Sequence, residues 1–299
     1  MDVSLFGRAY RVVLSAEKEA TGTAFGNMAP GQGALRVAFE IKKDALQTPN
    51  TGKITLFNLQ PNLRSAITKG WRIKVQAGYQ GLVDQVFVGS VTTAKTQRAG
   101  PDITTEVEAA DGGESLLNAS FNQKYPAKTP LWQILQDVAR AMDVLPGVVL
   151  GLPNYSISRA QTLCGGCSQV LHVCLDKHGL TFSVQNGKLN ILPKNAHLDT
   201  AAIVVSQNTG MLGVPSVTGD ALRFEALLNP RLVPGQLVLM QSKNPQAAGF
   251  YKVEKVEIKG DNRDAAWQVT CECARMMQPV QTLGIAQGFQ FNTAVEGLV

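Results

Sequence analysis

The residues best able to do chemistry lie close together in the middle of the chain. They are a Cys-Gly-Gly-Cys motif, one further cysteine and two histidines: Cys164, Cys167, His172, Cys174 and His178. Two thiolates at this spacing can bind one metal ion, and a histidine or a third cysteine can complete a tetrahedral site. A metal or iron–sulfur site is therefore one hypothesis for this chain.

The same motif fits two other interpretations. The spacing to Cys174 matches no zinc-finger or zinc-ribbon pattern, and Cys271 and Cys273 would have to come from another domain. A Cys-x-x-Cys motif at the start of a helix can also be a redox pair. Alternatively, Gly165 and Gly166 form the turn into a helix and Cys174 is a small apolar core residue. We favour this structural interpretation and expect no cofactor; a metal, a cluster and redox chemistry remain alternatives.

Two further sets of residues could act as acids and bases. Glu106 and Glu108 alternate along a predicted strand, so they lie on one face, as the paired carboxylates of a glycoside hydrolase would. An exposed strand face explains them equally well. His197 lies close to Asp199, but one such pair is more often solvated than part of a catalytic triad. We therefore expect a protein that is not an enzyme.

Composition narrows the classes of partner. The chain has 299 residues, of which 44% are hydrophobic and 17% are charged, as in a globular protein of two or three domains. The net charge of +5 is spread along the chain. Seven basic residues of the first β region could be read as a nucleic-acid groove, but acidic residues interrupt them: Lys42, Lys43, Lys53, Arg64, Lys69, Arg72 and Lys74. Ordinary strand-face charges are the favoured interpretation.

Two kinds of segment are not found in the sequence. The start lacks a secretory-signal pattern, and no apolar run approaches the roughly 20 residues that span a bilayer. We expect synthesis in the cytoplasm and no membrane anchor. The five cysteines do not form the disulfide framework of a small secreted domain, so mostly reduced thiols are expected.

Period-two alternation dominates the stretch from Ala34 to Gly112. Inward apolar residues such as Val37, Phe39 and Ile41 alternate with polar ones, which predicts half-buried strands. The predicted elements are strands around 10–15, 35–42, 53–59, 72–78, 85–95 and 103–110, a long loop over 21–33, and a short helix that begins at Pro61 and ends at Gly70. Many strands and one small helix predict an antiparallel barrel or sandwich.

Helical spacing appears in the next part of the chain. Leu131, Ile134, Leu135, Val138 and Met142 predict an amphipathic helix with Thr129 as its cap and Pro130 at its first position. A second helix is predicted over 168–178. Strands over 180–185 and 188–192 flank Asn186-Gly187, a strong hairpin signal. These elements predict a compact α+β unit.

The β pattern then returns, with strands predicted over 221–227, 236–241, 249–259 and 266–274. The final 24 residues are apolar without a strong period, and we expect them to pack on a neighbouring subunit. The predicted fold is mainly β with a small α+β insert. Its predicted domains are a first β-barrel over 1–118, the α+β insert over 119–200, a second β-barrel over 201–275 and a C-terminal extended arm over 276–299.

The order of these segments carries a family resemblance. The chain reads FEIKKD, GKITLFNLQPNLRSAI, GWRIKVQAGYQG, VFVGSV and TTEVEAADGGESL, followed by TPLWQILQDVA, GLTFSVQNGKLNILP, LNPRLVPGQLVLMQS, GFYKVEKVEIKGDN and WQVTCECA. This succession resembles the baseplate hub proteins of tailed bacteriophages, related to the late control protein D group. It covers most of residues 1–275, and both β regions resemble tail-tube-like barrels.

The resemblance implies a structural virion protein in the tail baseplate or tip, assembled in the host cytoplasm. It implies a homotrimer in which two barrels per chain form a pseudo-hexameric ring between the tail tube protein and the central spike protein. Other baseplate proteins would be neighbours, and the tape-measure protein and phage DNA would pass through the lumen without sequence-specific binding. The alternatives are a tail-associated cell-wall hydrolase, a metal-binding or iron–sulfur tail-tip protein that uses the Cys-Gly-Gly-Cys motif, and the hub of a phage-derived secretion machine.

Overall fold

The computed structural model describes residues 7–16, 22–28, 34–45, 49–111, 119–194, 196–198 and 201–276. Eighteen strands are described: β1 Arg8–Ser15, β2 Thr23–Gly26, β3 Val37–Asp44, β4 Thr51–Phe57, β5 Arg72–Tyr79, β6 Leu82–Ala99, β7 Asp102–Ala110, β8 Ser120–Tyr125, β9 Leu145–Val149, β10 Gln161–Gly166, β11 Leu180–Gln185, β12 Lys188–Pro193, β13 Ile203–Val205, β14 Met211–Thr218, β15 Ala221–Leu227, β16 Leu237–Met240, β17 Gly249–Asp261 and β18 Trp267–Arg275. The α-helices are α1 Pro61–Ala66, α2 Leu131–Ala141 and α3 Cys167–Leu175. No described helix is both long and apolar enough to cross a membrane.

The predicted alternation holds in the first β region. Val37, Phe39 and Ile41 are buried on one face of β3, and Ile54 and Leu56 are buried on the same side of β4. The long strand β6 changes partners near its middle: its first half pairs with β5 and its second half pairs with β7. The region therefore curves around one apolar core.

The second β region has six strands in the order β13-β16-β17-β18-β15-β14. Trp267, Val269, Cys271 and Cys273 are buried on one face of β18, as their alternation predicts. Strands β13 and β14 were not predicted. β13 has only three residues, and β14 carries a bulge between Leu212 and Ser216 that interrupts the period of two.

The two β regions are joined edge to edge. β17 pairs with β3 in an antiparallel ladder that runs from Lys255 opposite Asp44 to Asp261 opposite Ala38. We call this ladder the seam. It makes all the strands of both regions part of a single 13-stranded sheet, and one apolar core continues through both. The mainly β fold is confirmed; closure of two separate barrels and the domain boundaries remain predictions.

Close packing accompanies the seam. A Cβ atom added to Gly260 would lie 2.2 Å from Cζ of Phe39, so β17 and the Phe39 ring approach more closely than any side chain at 260 would allow. The Phe39 ring packs edge-on against Trp267, whose Nε1 donates to the carbonyl of Gly78 on β5. The sheet therefore folds back so that β18 contacts β5.

The α+β insert has its own core. α2 and α3 pack against a three-stranded sheet, β11-β12-β9, and a two-stranded sheet, β10-β8. The predicted apolar face of α2 is buried, and Gly179 ends the second helical segment with a φ of +67°. Asn186 and Gly187 form the predicted hairpin turn, with φ values of +55° and +74°.

Three local predictions were wrong. The loop predicted over 21–33 contains β2, a four-residue edge strand that pairs with β1 and is too short to show a clear period of two. Thr129 does not cap α2: its hydroxyl donates to the carbonyl of Pro126, and Pro130 occupies the cap position instead of the first helical position. The turn predicted at Gly165 and Gly166 was wrong in part: both residues pair with β8 as the end of β10, although Gly166 is also the N-cap of α3.

Candidate assembly site

The structure places the five cysteines of the chain in three different environments. Cys164 is exposed on β10, whereas Cys167 is the first residue of α3 and is buried. Cys174 is buried in the insert core, as the structural interpretation predicts. Cys271 and Cys273 are buried in the core of the second β region. Among the described residues, no group of three or more His, Cys, Asp or Glu side chains could hold a metal ion.

The environment of the buried thiols favours the protonated form. Burial raises the pKa of Cys167, of Cys174 and of Cys273, and it raises the pKa of Cys271 strongly. A metal ligand or redox nucleophile requires a thiolate. At these four cysteines, burial therefore acts against the thiolate form.

The two histidines near this motif have aromatic and acidic neighbours. The His172 ring packs edge-on against Phe182 at 5.4 Å between centroids, and its Nδ1 lies 3.4 Å from a carboxylate oxygen of Asp176. His178 packs against the ring of Tyr155 at 5.0 Å. Both histidines thus have structural contacts on the insert surface.

The other acid–base candidates also have structural roles. Glu106 forms an ion pair with Lys53, with 2.9 Å between Nζ and Oε2, and Glu108 is exposed on the same face of β7. This arrangement matches an exposed strand face. His197 is buried, and Asp199 lies outside the described residues.

Charged side chains form a line across the outer face of the sheet. We call the following set the charged stripe: Glu40, Lys42, Lys53, Glu106, Arg223, Lys255, Glu257, Lys259 and Glu272. Lys42 lies 2.9 Å from Glu40 on its own strand and 4.0 Å from Glu257 across the seam. Lys42 and Lys53, two of the seven basic residues singled out in the sequence, are therefore paired with glutamates, in keeping with the favoured interpretation as strand-face charges.

One end of the seam is closed by a further ion pair. Arg36 Nη2 lies 2.8 Å from Oδ2 of Asp261, and the guanidinium stacks over the ring of Phe57. Burial acts to raise the pKa of Asp261, but hydrogen bonds from Arg36 and from the amide of Arg263 hold that pKa below its usual value. The carboxylate therefore stays charged where the two β regions meet.

The insert docks onto the first β region through buried polar groups. We call the following set the polar junction: Lys43, Asn50, Asp111, Gln185 and Asn186. The tip of the β11–β12 hairpin points at Asp111, whose carboxylate accepts hydrogen bonds from the amides of Asn186 and Gly187. Asn50 Nδ2 lies within donating distance of Asp111 Oδ2, at 3.1 Å, and of the carbonyl of Val184, at 3.0 Å.

A lysine completes the polar junction. Nζ of Lys43 donates to Oδ1 of Asn186 at 2.8 Å, and Nε2 of Gln185 donates to the carbonyl of Asp44 at 2.7 Å. Burial lowers the pKa of Lys43 to about 8, although Asp111 acts in the opposite direction. Burial also raises the pKa of Asp111, against the hydrogen bond from Asn50.

Sequence reasoning did not identify the polar junction, although a signal was present. Three of its residues continue the buried face of a strand at a spacing of two. Lys43 comes two positions after Ile41 of β3, and Asp111 comes two positions after Ala109 of β7. Asn50 comes two positions before Gly52 of β4. Polar residues that continue the buried faces of three neighbouring strands, at the same end of those strands, indicate a buried polar contact. The partner hairpin lies more than 70 residues further along the chain and could not be inferred from that pattern.

A cleft of about 1100 Å³ lies where the insert and both β regions meet. Basic side chains surround it, with one aspartate among them: Arg72, Lys74, Asp84, Lys188 and Arg231. Apolar residues of its wall include Leu145, which is 62% exposed, and Val204, which is 39% exposed. Exposed apolar residues within a basic cleft are typical of a surface that receives a partner.

These features define the class: a mainly β protein in which one large antiparallel sheet joins two β regions and carries an α+β insert. The chain belongs to the baseplate hub gp41 family, whose family model matches residues 26–273. It is thus a structural protein of the tail baseplate, and the resemblance inferred from the sequence is confirmed.

Solved structures share this fold at low sequence identity. The 43 kDa tail protein of prophage MuSo2 from Shewanella oneidensis is 11% identical, with a TM-score of 0.61 over 89% of this chain and 98% of that one. The tail protein from Neisseria meningitidis MC58 is 9% identical, with a TM-score of 0.62 over 90% and 97%. A component of the Escherichia coli type VI secretion system is 14% identical, with a TM-score of 0.57 over 81% and 74%.

The chain also matches a curated enzyme, but over a much shorter stretch than it matches the family model. Succinyl-diaminopimelate desuccinylase from Herminiimonas arsenicoxydans is 32% identical over 109 residues, which are 34% of this chain and 29% of the enzyme. The chain thus spans less than a third of the length of that curated relative. Its activity does not follow from a match of this extent.

Proposed function

We propose that this protein is the hub that joins the tail tube to the central spike. Three copies form a pseudo-hexameric ring, because each chain contributes two β regions and three chains supply six. The ring surrounds a channel through which DNA and the tape-measure protein pass without sequence-specific contacts. The protein acts by assembly, needs no cofactor and is not an enzyme. It assembles in the host cytoplasm and then resides in the tail baseplate.

The seam is the observation that carries this proposal. A chain in which β17 pairs with β3 holds its two β regions side by side in a single sheet, so they behave as consecutive segments of one wall. The charged stripe extends over both regions, and its Lys42–Glu257 pair links them across the seam at 4.0 Å. A continuous wall made of two similar units supports the matching of three chains to a six-fold tube.

The basic cleft is the surface that we assign to the contact between copies. Its apolar side chains are exposed in the isolated chain, and their burial would add about 25 cal/mol for each Å² removed from water. Leu145 is the most exposed apolar residue of the cleft wall. Replacement of Leu145 should therefore weaken association without disturbing the core.

Light scattering of the purified chain, alone and with the spike protein, tests the assembly. We expect the purified chain to form a trimer, either by itself or when it is bound to the spike protein. Leu145→Asp should lower the trimer fraction at least tenfold, whereas Val173→Asp, at a similarly exposed valine of α3, should not. A strictly monomeric protein that binds neither tube nor spike would contradict the hub assignment.

The hub of a phage-derived secretion machine is the second candidate. It is favoured by the structural likeness to the Escherichia coli type VI secretion component, which is described as similar to phage tail proteins. Electron microscopy of particles that contain a labelled copy separates the two: the label lies on virion tails in one case and on capsid-free tubes in the other.

A cell-wall hydrolase is tested directly. The hub proposal predicts no clearing of peptidoglycan by the protein, and no difference between the wild type and the Glu106→Gln, Glu108→Gln variant. Clearing that disappears in that variant would overturn the proposal that the protein is not an enzyme.

A further inference from the structure

A second groove lies in the second β region, between β14 and the β13–β16 pair. Its volume is about 850 Å³. One wall is the bulged part of β14, with Gly213, Val214 and Pro215, and the other includes Leu239 and Met240 of β16. We call it the β14 groove. Asn208 lines both this groove and the basic cleft.

The bulge of β14 presents an apolar side chain to solvent. Residues 213–215 leave the ladder with β15, and Gly213 adopts a φ of +67°, which turns the backbone outward. Val214 is consequently 78% exposed, more than any other large apolar residue among those described. Met211 and Met240, which are buried, lie beneath it in the lining of the groove.

The described chain ends beside this groove. The amide of Met276 donates to the carbonyl of Phe250 at 2.9 Å, next to Gly249 and Ala248 of the groove wall. Arg275 fixes this exit point: its Nη2 donates to the carbonyl of Ala248 at 3.1 Å, and its guanidinium packs over Tyr251. Whatever follows Met276 therefore starts at the groove.

The following 23 residues have a composition that suits the groove. They include several large apolar side chains: Val280, Leu283, Ile285, Phe289, Phe291, Val295, Leu298 and Val299. Their only charged side chain is Glu296, and the groove wall includes Lys243. A fully extended chain of this length reaches about 80 Å, far more than the groove requires.

We propose that the β14 groove is the docking site for residues 277–299 of the same chain, with apolar side chains of that segment packed on Val214 and Leu239. The sequence pattern predicts contact with a neighbouring subunit, but the position of Met276 favours the chain's own groove. Pro215 lacks an amide hydrogen, so contact at the bulge depends on side chains more than on a continuous strand ladder. This proposal holds for the isolated chain and does not depend on trimer formation.

Photocrosslinking of the full-length protein tests the occupant. Val214 is replaced by p-benzoylphenylalanine, and trypsin then releases Met276–Val299 as one peptide, because Arg275 is the last basic residue. We expect that peptide to be the main adduct, and we expect it to be absent when the probe replaces Val173. Adducts elsewhere, or no adduct, would overturn the proposal.

An equal mixture of ¹⁴N and ¹⁵N protein shows which chain supplies the segment. Adducts in which both peptides carry the same isotope support docking within one chain. If a neighbouring copy fills the groove, half of the adducts will join a ¹⁴N peptide to a ¹⁵N peptide. That result would overturn the proposal in the form stated.

Hydrogen–deuterium exchange gives a second measurement. Val214→Glu should raise amide exchange in Met276–Val299 at least tenfold, with an unchanged melting temperature, whereas Val173→Glu should leave it unchanged. The reciprocal variant, Phe289→Ser with Phe291→Ser, should raise exchange at 211–217. A segment that exchanges at the unprotected rate in the wild type would refute docking.

Discussion

The seam and the polar junction join neighbouring parts of this protein in opposite ways. At the seam, seven residues of β17 pair with seven of β3 through backbone groups, and side chains contribute apolar contacts on one face and ion pairs on the other. At the polar junction, the Asn186-Gly187 turn is held by Asp111, Asn50 and Lys43, whose polar atoms are buried.

This difference determines which substitutions each contact tolerates. A backbone ladder is available to almost any sequence, so the seam depends on side chains only where space is lacking, as at Gly260. A buried polar cluster depends on every partner, because a donor that loses its acceptor bears the full cost of desolvation. The polar junction should therefore be the more sensitive of the two.

Removal of the Asp111 carboxylate should have the largest effect. Asp111→Ala leaves the amides of Asn186 and Gly187 without their acceptor and removes a negative charge near Lys43. We expect the free energy of unfolding to fall by about 3–5 kcal/mol. Urea denaturation measures it, with Asp220→Ala, at an exposed turn, as the control expected to change little. A loss below about 1 kcal/mol would show that the polar junction is not the sensitive contact.

Lys43 should make stability depend on pH in the alkaline range. Its pKa is about 8 in the folded chain and 10.5 in the reference state, so the unfolded chain binds more protons between these values. The free energy of unfolding should therefore rise with pH from 8 to 10.5, by about 3 kcal/mol at most.

The contribution of Lys43 is isolated by difference. Urea denaturation at pH 7.5 and at pH 10 is compared for the wild type and for Lys43→Met. The other titratable groups are the same in the two proteins, so the free energy of unfolding should rise more between pH 7.5 and pH 10 in the wild type than in Lys43→Met. Equal gains in the two proteins would mean that Lys43 is not desolvated at the polar junction.

Gly260→Ala tests a place where the seam leaves no room for a side chain. The new methyl group would meet the Phe39 ring, and such overpacking costs about 1–3 kcal/mol. Gly166→Ala is the matched control, because the atom nearest to its added Cβ is 3.9 Å away. Adding Phe39→Leu should restore part of the loss. If the free energy of unfolding falls in the double variant by the sum of the two single losses, the contact with the Phe39 ring is not the cause of the loss in Gly260→Ala.

The smallest effect is expected on the charged stripe. Lys53→Gln removes an exposed ion pair with Glu106, and such pairs contribute about 0–1 kcal/mol. The loss in melting temperature should shrink further at high salt, since salt screens exposed charges. A loss above about 2 kcal/mol would mean that the charged stripe contributes more to stability than exposed ion pairs usually do.

The sequence predicted the elements whose signal is local. Alternation at Val37, Phe39 and Ile41 defined β3, helical spacing from Leu131 to Met142 defined α2, and Asn186-Gly187 defined the hairpin turn. Each of these signals comes from steric or burial preferences within a few residues.

The sequence did not predict the contacts between these elements. The seam joins residues more than 200 positions apart through backbone atoms, which carry no residue-specific signal. The role of Asp111 depends on the distant hairpin that it contacts. The cysteines show the reverse case: the spacing of Cys164 and Cys167 suggested chemistry, but Cys167 and Cys174 are buried and pack in the insert core.

The seam also has a mechanical consequence. Hydrogen bonds of an antiparallel ladder lie perpendicular to the strands, so a load applied along β3 and β17 is shared by all seven residue pairs. A load that pulls the strands apart from one end is borne by one pair at a time. The two β regions should therefore resist sliding past each other and yield more readily to peeling, and the Arg36–Asp261 pair reinforces one of the two ends at which peeling would begin.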